Sequence, residues 1–317
     1  MEIQQKPFEW MIKYTLQKEW IQGRGVLVWI AEVFTSLGAG LYLVSLFFNN
    51  LAGLFIAWLI IVLLKIPIHI AYFGKPLRFW RTIAPFNSAW KTSWFSRGVT
   101  ATVLFTGFGF LVILFLFQPS AAILSGWFSQ GLFTGLDVTF RILAGLTVFL
   151  VGIYGGFIMN FVKGIPFWNT GLLPTLFIIA GINDGFALIM AIGLGGGQVD
   201  IMAAEIGSRV LLIFSAFIII TYLWSQNYSS TTAKATVQGL LKGYLAVPFW
   251  IGIVLFGIII PIVISAVSYF SGELSSPLLI IAITFHTLSA FALKYVLLKA
   301  GVYEPLLPSA STQPTSG

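Results

Sequence analysis

The chain has 317 residues, of which 58% are hydrophobic and only 9% charged, and its mean hydropathy is +0.96. A water-soluble enzyme is excluded, because 17 basic and 10 acidic side chains cannot cover the surface of a fold that also carries 30 Phe and 11 Trp. With no Cys, disulfides, Cys-held zinc and iron–sulfur clusters are excluded from this polypeptide, and the net charge of +7 reflects membrane topology and docking rather than nucleic-acid binding.

Residues 1–25 carry Lys6, Glu9, Trp10, Lys13, Lys18, Glu19 and Trp20. They lack the apolar stretch of a secretory leader and read as an interfacial amphipathic helix. Eight runs long enough to cross roughly 30 Å of hydrocarbon follow. They lie near 26–48, 51–73, 99–118, 136–162, 172–194, 203–224, 244–269 and 277–298. The predicted fold is therefore an all-α polytopic membrane domain over 26–300, built as two four-helix bundles. A polar tail, 301–317, ends the chain, and its last dozen residues are uncharged and expected to be disordered.

The connections alternate in charge. On one face lie Lys6, Lys13, Lys18, Arg24, Lys75, Arg78, Arg81, Lys91, Arg97, Lys163, Lys234, Lys242 and Lys299, whereas connections 49–50, 119–135, 195–202 and 270–276 hold no Lys or Arg. This asymmetry predicts that both termini and the basic face are cytoplasmic. A face that docks a soluble protein could be basic for its own reasons, which is the rival reading.

Ionisable groups inside spans are functional candidates, because hydrocarbon penalises them. They are Glu32, Lys65, His69, Asp184, the pair Asp137 and Arg141, and the pair Glu205 and Arg209. Counted from the basic end of each span, Glu32 lies roughly 9 Å deep, Lys65 roughly 12 Å, His69 roughly 6 Å and Tyr154 roughly 12 Å, so all four share one layer. Lys65 and His69, four apart, share a helical face, and Asp184 is deeper, at about 18 Å. The two acid–base pairs near the opposite end read either as local neutralisation or as parts of a proton route. Glu32 reads as a protonatable acid beside a redox site, or as a hydrogen-bonded neutral acid. His69 is either a ligand or an interfacial His, and His286, near mid-span, suits a packing or helix–helix hydrogen-bond role. A haem with two axial His ligands would need His69 and His286 together, and nothing else in the sequence supports one.

The connection GKPLRFWRTIAPFNSAWKTSWFSRG, 74–98, mixes Arg and Lys with Trp80, Trp90 and Trp94 and suits an interfacial segment that meets an acidic partner. KGIPFWNTGLLP, 163–174, and AVPFW, 246–250, lie on the same face. Gly38 with Gly40, Gly107 with Gly109, and Gly152 with Gly156 are expected to allow close helix packing. GLGGGQ, 193–198, is a turn rather than a phosphate loop, since no Lys-Ser/Thr follows. No nucleophile triad or zinc site is present, which argues against hydrolysis.

WIAEVFTSLGAGLY in the first span, GKPLRFWR after the second, SWFSRG before the third, GIPFWNTGLLPTLF into the fifth and LKYVLLKAG at the end resemble the NrfD/PsrC-type membrane subunits of polysulfide, dimethyl sulfoxide and related molybdopterin oxidoreductases. The resemblance runs from about residue 22 to residue 303. It implies an eight-helix subunit with no haem or iron–sulfur cluster of its own, in the cytoplasmic membrane of a prokaryote. Such a subunit binds menaquinone or ubiquinone near the face where a four-cluster iron–sulfur subunit docks, with a molybdenum or tungsten molybdopterin subunit beyond. Tyr154 in GIYGGF corresponds to a helix-four Tyr offered to a quinone oxygen. Glu32 departs from the family, which often has an aromatic residue or His around Trp29 to Phe34, and Asp184 departs from an apolar or hydroxyl position.

The expected site follows from both readings. The quinone ring stacks near Trp29 and Trp168, beside Asn169. Tyr154 meets one carbonyl, His69 or Lys65 meets the other, and Glu32 exchanges protons. Asp184, then Asp137 with Arg141 or Glu205 with Arg209, leads to the far side. Lys75, Arg78, Trp80, Arg81 and Arg97 dock the partner. Two other classes compete: an ion-coupled secondary transporter, for which no internal repeat is visible, and a purely structural anchor.

Overall fold

The computed structural model describes residues 11–83 and 88–307. Eight helices in it are long and apolar enough to cross a membrane: Gly23–Phe47, Leu51–Tyr72, Trp94–Leu116, Gln130–Asn160, Leu172–Leu194, Ile201–Ser229, Pro248–Ser271 and Ser276–Lys299. The third starts at Trp94 rather than residue 99, because Ser93 caps it by accepting the Ser96 N–H at 3.4 Å. The fourth begins at Gln130, and the connection before it holds a further helix, Gln118–Trp127, with Pro119 in its first turn.

Two spans widen into π-helix, at Ile60–Lys65 in the second and Pro248–Ile259 in the seventh. In each a Pro lies two residues beyond, Pro67 and Pro261. A Pro offers no N–H to the preceding turn, and the wider turn absorbs the missing bond. In the second span this carries Lys65 inward, where it is buried.

Spans one to four pack among themselves and five to eight do likewise, giving the two expected bundles. They join along the first and fifth spans, with the fourth and eighth alongside. The seam is built on glycine: a Cβ at Gly40 would overlap the Gly181 carbonyl, and one at Gly185 would overlap the Gly40 backbone. Gly156 meets the Pro174 backbone in the same way. Gly107, expected to pack closely, faces open space. Gly40→Val is therefore expected to destabilise by about 1–3 kcal/mol or more, seen as a lower thermal midpoint in detergent. Gly107→Ala should leave that midpoint unchanged or raise it slightly.

The described part of the N-terminal segment is not the expected amphipathic helix. Thr15–Leu16 pairs antiparallel with Val302–Tyr303, and Gly23–Gly25 forms a 3-10 turn. Gln17 Nε2 donates to the Leu298 carbonyl, and Trp20 packs on Trp168 with ring centroids 5.2 Å apart. These long-range bonds to the end of the eighth span take the groups a helix would have used. Lys6, Glu9 and Trp10, and the tail beyond residue 307, lie outside the described residues.

Candidate functional site

Glu32 is buried on the first span, its carboxylate lying where a Cβ of Gly155 on the fourth span would be. Only glycine leaves that space. The cations near enough to act on Glu32 electrostatically are Lys294 of the eighth span and Lys65 of the second. Lys65 Nζ donates to Thr102 Oγ1 at 2.7 Å and stands 5.2 Å from the Tyr154 ring centroid. A buried cation held by one hydroxyl and a ring face leans on a nearby carboxylate for compensation.

His69 joins two cavities in this layer. One, of about 120 Å³, is lined by Glu32, His69, Trp20, Tyr72, Phe95 and Met159 among others. The other, of about 50 Å³, is bordered by His69, Lys65, Thr102 and Tyr154. The His69 ring stacks on Phe95 at 6.0 Å and meets the edge of Phe73. Its Nδ1 is buried without a hydrogen-bond partner among the described residues. Such an orphan is uncommon in a native fold and fits a polar ligand atom.

The four residues of the expected layer thus come together, but through two adjoining chambers. Tyr154 is buried against Gly98, where a Cβ would overlap its ring, and does not line the chamber of Glu32. Trp29 lies at the seam with the eighth span, donating to the Phe291 carbonyl at 2.9 Å. Trp168 is fully buried, donates to the Leu297 carbonyl at 2.9 Å and gives a face to Trp20. Neither lines the Glu32 chamber, whose aromatic walls are Trp20, Tyr72 and Phe95. Asn169 accepts from Lys163 Nζ at 3.3 Å on the basic surface.

On that surface Lys75, Arg78, Trp80 and Arg81 are exposed on the 3-10 segment Pro76–Thr82 and its approach. Arg97 is tied to the loop before the third span: Nε donates to the Trp90 carbonyl at 3.0 Å, another nitrogen donates to the Lys91 carbonyl, and the guanidinium stacks on Trp94. Arg24 ties off the second span by donating to the Ala71 carbonyl at 2.6 Å.

Below the chamber, Asp184 accepts from Ser36 Oγ at 2.7 Å. His286 Nε2 stands 3.1 Å from Asp184 Oδ1, within ion-pair range but without hydrogen-bond alignment. Lys294 Nζ sits 3.3 Å from the Phe177 centroid, close enough to act electrostatically on both Glu32 and Asp184. His286 also borders two small cavities of about 30 Å³ each, one shared with Asp184 and Asn183, the other with Glu205, Ser208 and Arg209. Each has room for about one water. Glu205 is bound to Arg209 at 2.6 Å and accepts from Ser265 Oγ, which itself accepts from Arg209 Nε at 2.6 Å.

Asp137 and Arg141 form a two-bond pair at 2.9 and 3.0 Å, and Arg141 also donates to Asn49 at 2.7 Å. Neither of these two cavities is lined by this pair. Glu205 with Arg209 is the pair that continues from Asp184.

Lys294 and the contact between His286 and Asp184 are candidate features that sequence reasoning missed. The signal for Lys294 was a lone Lys within an apolar span, five residues before the interfacial Lys299. His69 and His286 belong to different clusters, and no group of three or more potential metal-ligating side chains assembles among the described residues.

Residues 26–305 match the family described as Polysulphide reductase, NrfD. Relatives include a protein NrfD homolog of Haemophilus influenzae, 23% identical over 167 residues, which covers 48% of this chain and 49% of that protein. The C subunit of polysulfide reductase from Wolinella succinogenes is 27% identical over 157 residues, 48% of this chain and 50% of that one. Protein NrfD of Escherichia coli K12 is 26% identical over 136 residues, 41% of this chain and 42% of that protein. The chain spans about half the length of the curated relatives it matches. Because the family match extends over most of its length and all eight spans, the chain belongs to the polysulphide reductase NrfD family of multi-pass membrane proteins.

Proposed function

We propose that this chain is the quinone-binding membrane anchor of a respiratory oxidoreductase, exchanging electrons between menaquinone or ubiquinone and a docked four-cluster iron–sulfur subunit. A molybdopterin subunit carrying molybdenum or tungsten lies beyond, and the complex sits in the cytoplasmic membrane with its basic face inward. The observation that carries this reading is the chamber of about 120 Å³ near the basic face, where buried Glu32 and the unpartnered His69 Nδ1 meet aromatic walls. It is a mostly apolar pocket with a few convergent polar groups, as small-molecule sites are.

A bound quinone supplies paired electron and proton transfer. The chain's part is to place and to shield. Trp20, Tyr72 and Phe95 hold a flat ring and exclude water, and the N–H of neutral His69, carried on Nδ1, donates to a carbonyl oxygen. Glu32 takes or gives the proton at its carboxylate. Tyr154 and Lys65 act from the adjoining chamber as positioning residues on His69. Lys75, Arg78, Trp80 and Arg81 present the exposed basic and aromatic surface an acidic partner requires.

The test is purification of the full chain with its companions in mild detergent, with analysis of extracted quinone. Co-purified quinone with iron–sulfur and molybdopterin subunits is the expected result, with His69→Leu raising the KM for quinol more than Tyr154→Phe does. A homogeneous protein with neither quinone nor companions would overturn the reading and favour an ion-coupled carrier built on the same buried acids.

A further inference from the structure

A larger cavity lies on the lipid side of this site, separated from the His69 chambers by Tyr154. It holds about 310 Å³ between the third and fourth spans, and its walls include Arg97, Ala101 and Leu104 on one side and Tyr154, Leu150 and Thr147 on the other. These positions step by four and three residues, so each helix gives one stripe. The third span starts at the basic face and the fourth ends there, so both stripes descend together from the interface, over roughly 10 Å. Leu104 and Leu150 are 44% and 45% exposed, which leaves the slot open sideways to the bilayer. Thr147 spends its hydroxyl on the Leu143 carbonyl at 2.7 Å. The lower slot is thus long, narrow and apolar.

Its rim is cationic. The Arg97 guanidinium is held flat on Trp94 and anchored by two nitrogens, and its Nη1 has no hydrogen-bond partner among the described residues. Lys91 is exposed beside it, and Trp90 and Trp94 mark the level of the lipid headgroups. Trp94 is itself fixed by stacking on Phe157 at 4.0 Å.

We propose that this slot binds one anionic phospholipid, its phosphate on Arg97 with Lys91 adding charge, and one acyl chain along Ala101, Leu104 and Leu150. A neutral quinone carbonyl would make only an ordinary hydrogen bond at the cationic rim, whereas a phosphate at a prearranged guanidinium makes a stronger, charge-assisted bond. The inference stands independently of the quinone reading.

The experiment is native mass spectrometry of the full-length protein from detergent, with phosphatidylglycerol or phosphatidylethanolamine of matched acyl length added. The wild type is expected to retain phosphatidylglycerol preferentially. Arg97→Gln should weaken that binding roughly five-fold and leave phosphatidylethanolamine unchanged. Leu104→Trp, on the lipid-facing side where folding tolerates it, should weaken both about ten-fold by filling the slot. Equal retention of the two lipids by the wild type, or phosphatidylglycerol retention unaffected by both variants, would overturn the proposal. So would a photoreactive quinone that crosslinks to Leu104 and Leu150.

Discussion

Glu32→Gln is expected to lower quinone-linked turnover of the assembled complex by roughly 10²- to 10⁴-fold, the usual contribution of a positioned proton-transfer group. The substitution keeps size and hydrogen-bonding shape, so the space Gly155 leaves for the side chain stays filled. What it removes is the ionisable carboxyl group on which Lys65 and Lys294 act. Those cations are buried, and Lys294 retains Asp184 nearby while Lys65 is left with Thr102 and the Tyr154 ring. Some stability loss should therefore accompany the kinetic effect, and Lys65→Met added to Glu32→Gln should recover part of it, a coupling that a double-mutant cycle measures. The kinetic loss should remain in the double variant, because a Met restores no proton carrier. Steady-state quinol oxidation by the intact complex checks this, with subunit stoichiometry as the assembly control. An unchanged kcat in an assembled Glu32→Gln complex would remove this carboxylate from the chemistry.

The spans and the buried acids were legible because both follow from solvent physics acting on single residues. Twenty apolar residues can cross hydrocarbon, and a charge among them needs a partner. Counting along helix axes also placed Glu32, Lys65, His69 and Tyr154 at one level, and the structure brings them to adjoining chambers. Depth says nothing about which way a side chain turns around the axis. The turn of the second span depends on the π stretch before Pro67, which a 3.6-residue count does not anticipate. Trp168 illustrates the same gap: its motif marks the basic face correctly, yet the indole points to the Leu297 carbonyl and Trp20. Trp20, one of the three aromatics that wall the chamber, comes from a segment read as an amphipathic helix. It lies elsewhere because Gln17 and the strand pairing at Thr15–Leu16 tie that segment to the other end of the sequence. Such contacts join residues nearly three hundred positions apart and have no local pattern.

His286→Phe is expected to lower proton exchange between the proposed quinone site and the face opposite the basic loops about tenfold or more, while electron transfer continues in uncoupled vesicles at a reduced rate. The argument rests on continuity. Asp184 lies between Lys294 and His286, and His286 borders one water-sized cavity on the Asp184 side and another on the Glu205 side. A proton taken from Asp184 at Nε2 can leave from Nδ1 through a water to the Glu205 carboxylate, with Arg209 balancing its charge once the proton is released. Phe keeps the ring volume and removes both nitrogens. Asp184→Asn should act alike, because it removes the acid that loads the relay. Asp137→Asn should not, since that carboxylate is closed off in its own pair with Arg141 and Asn49. The measurement is proton uptake or release, followed with a pH-sensitive dye, in vesicles carrying the whole complex during quinol turnover. His286→Phe and Asp184→Asn should lower the far-side signal per electron about tenfold or more, and Asp137→Asn should match the wild type. If His286→Phe kept the full far-side signal, the connection between the two cavities would not be the route. If the wild type exchanged protons only at the basic face, Glu32 would load through its own chamber, and the Asp184 to Glu205 string would be a way of neutralising buried charge.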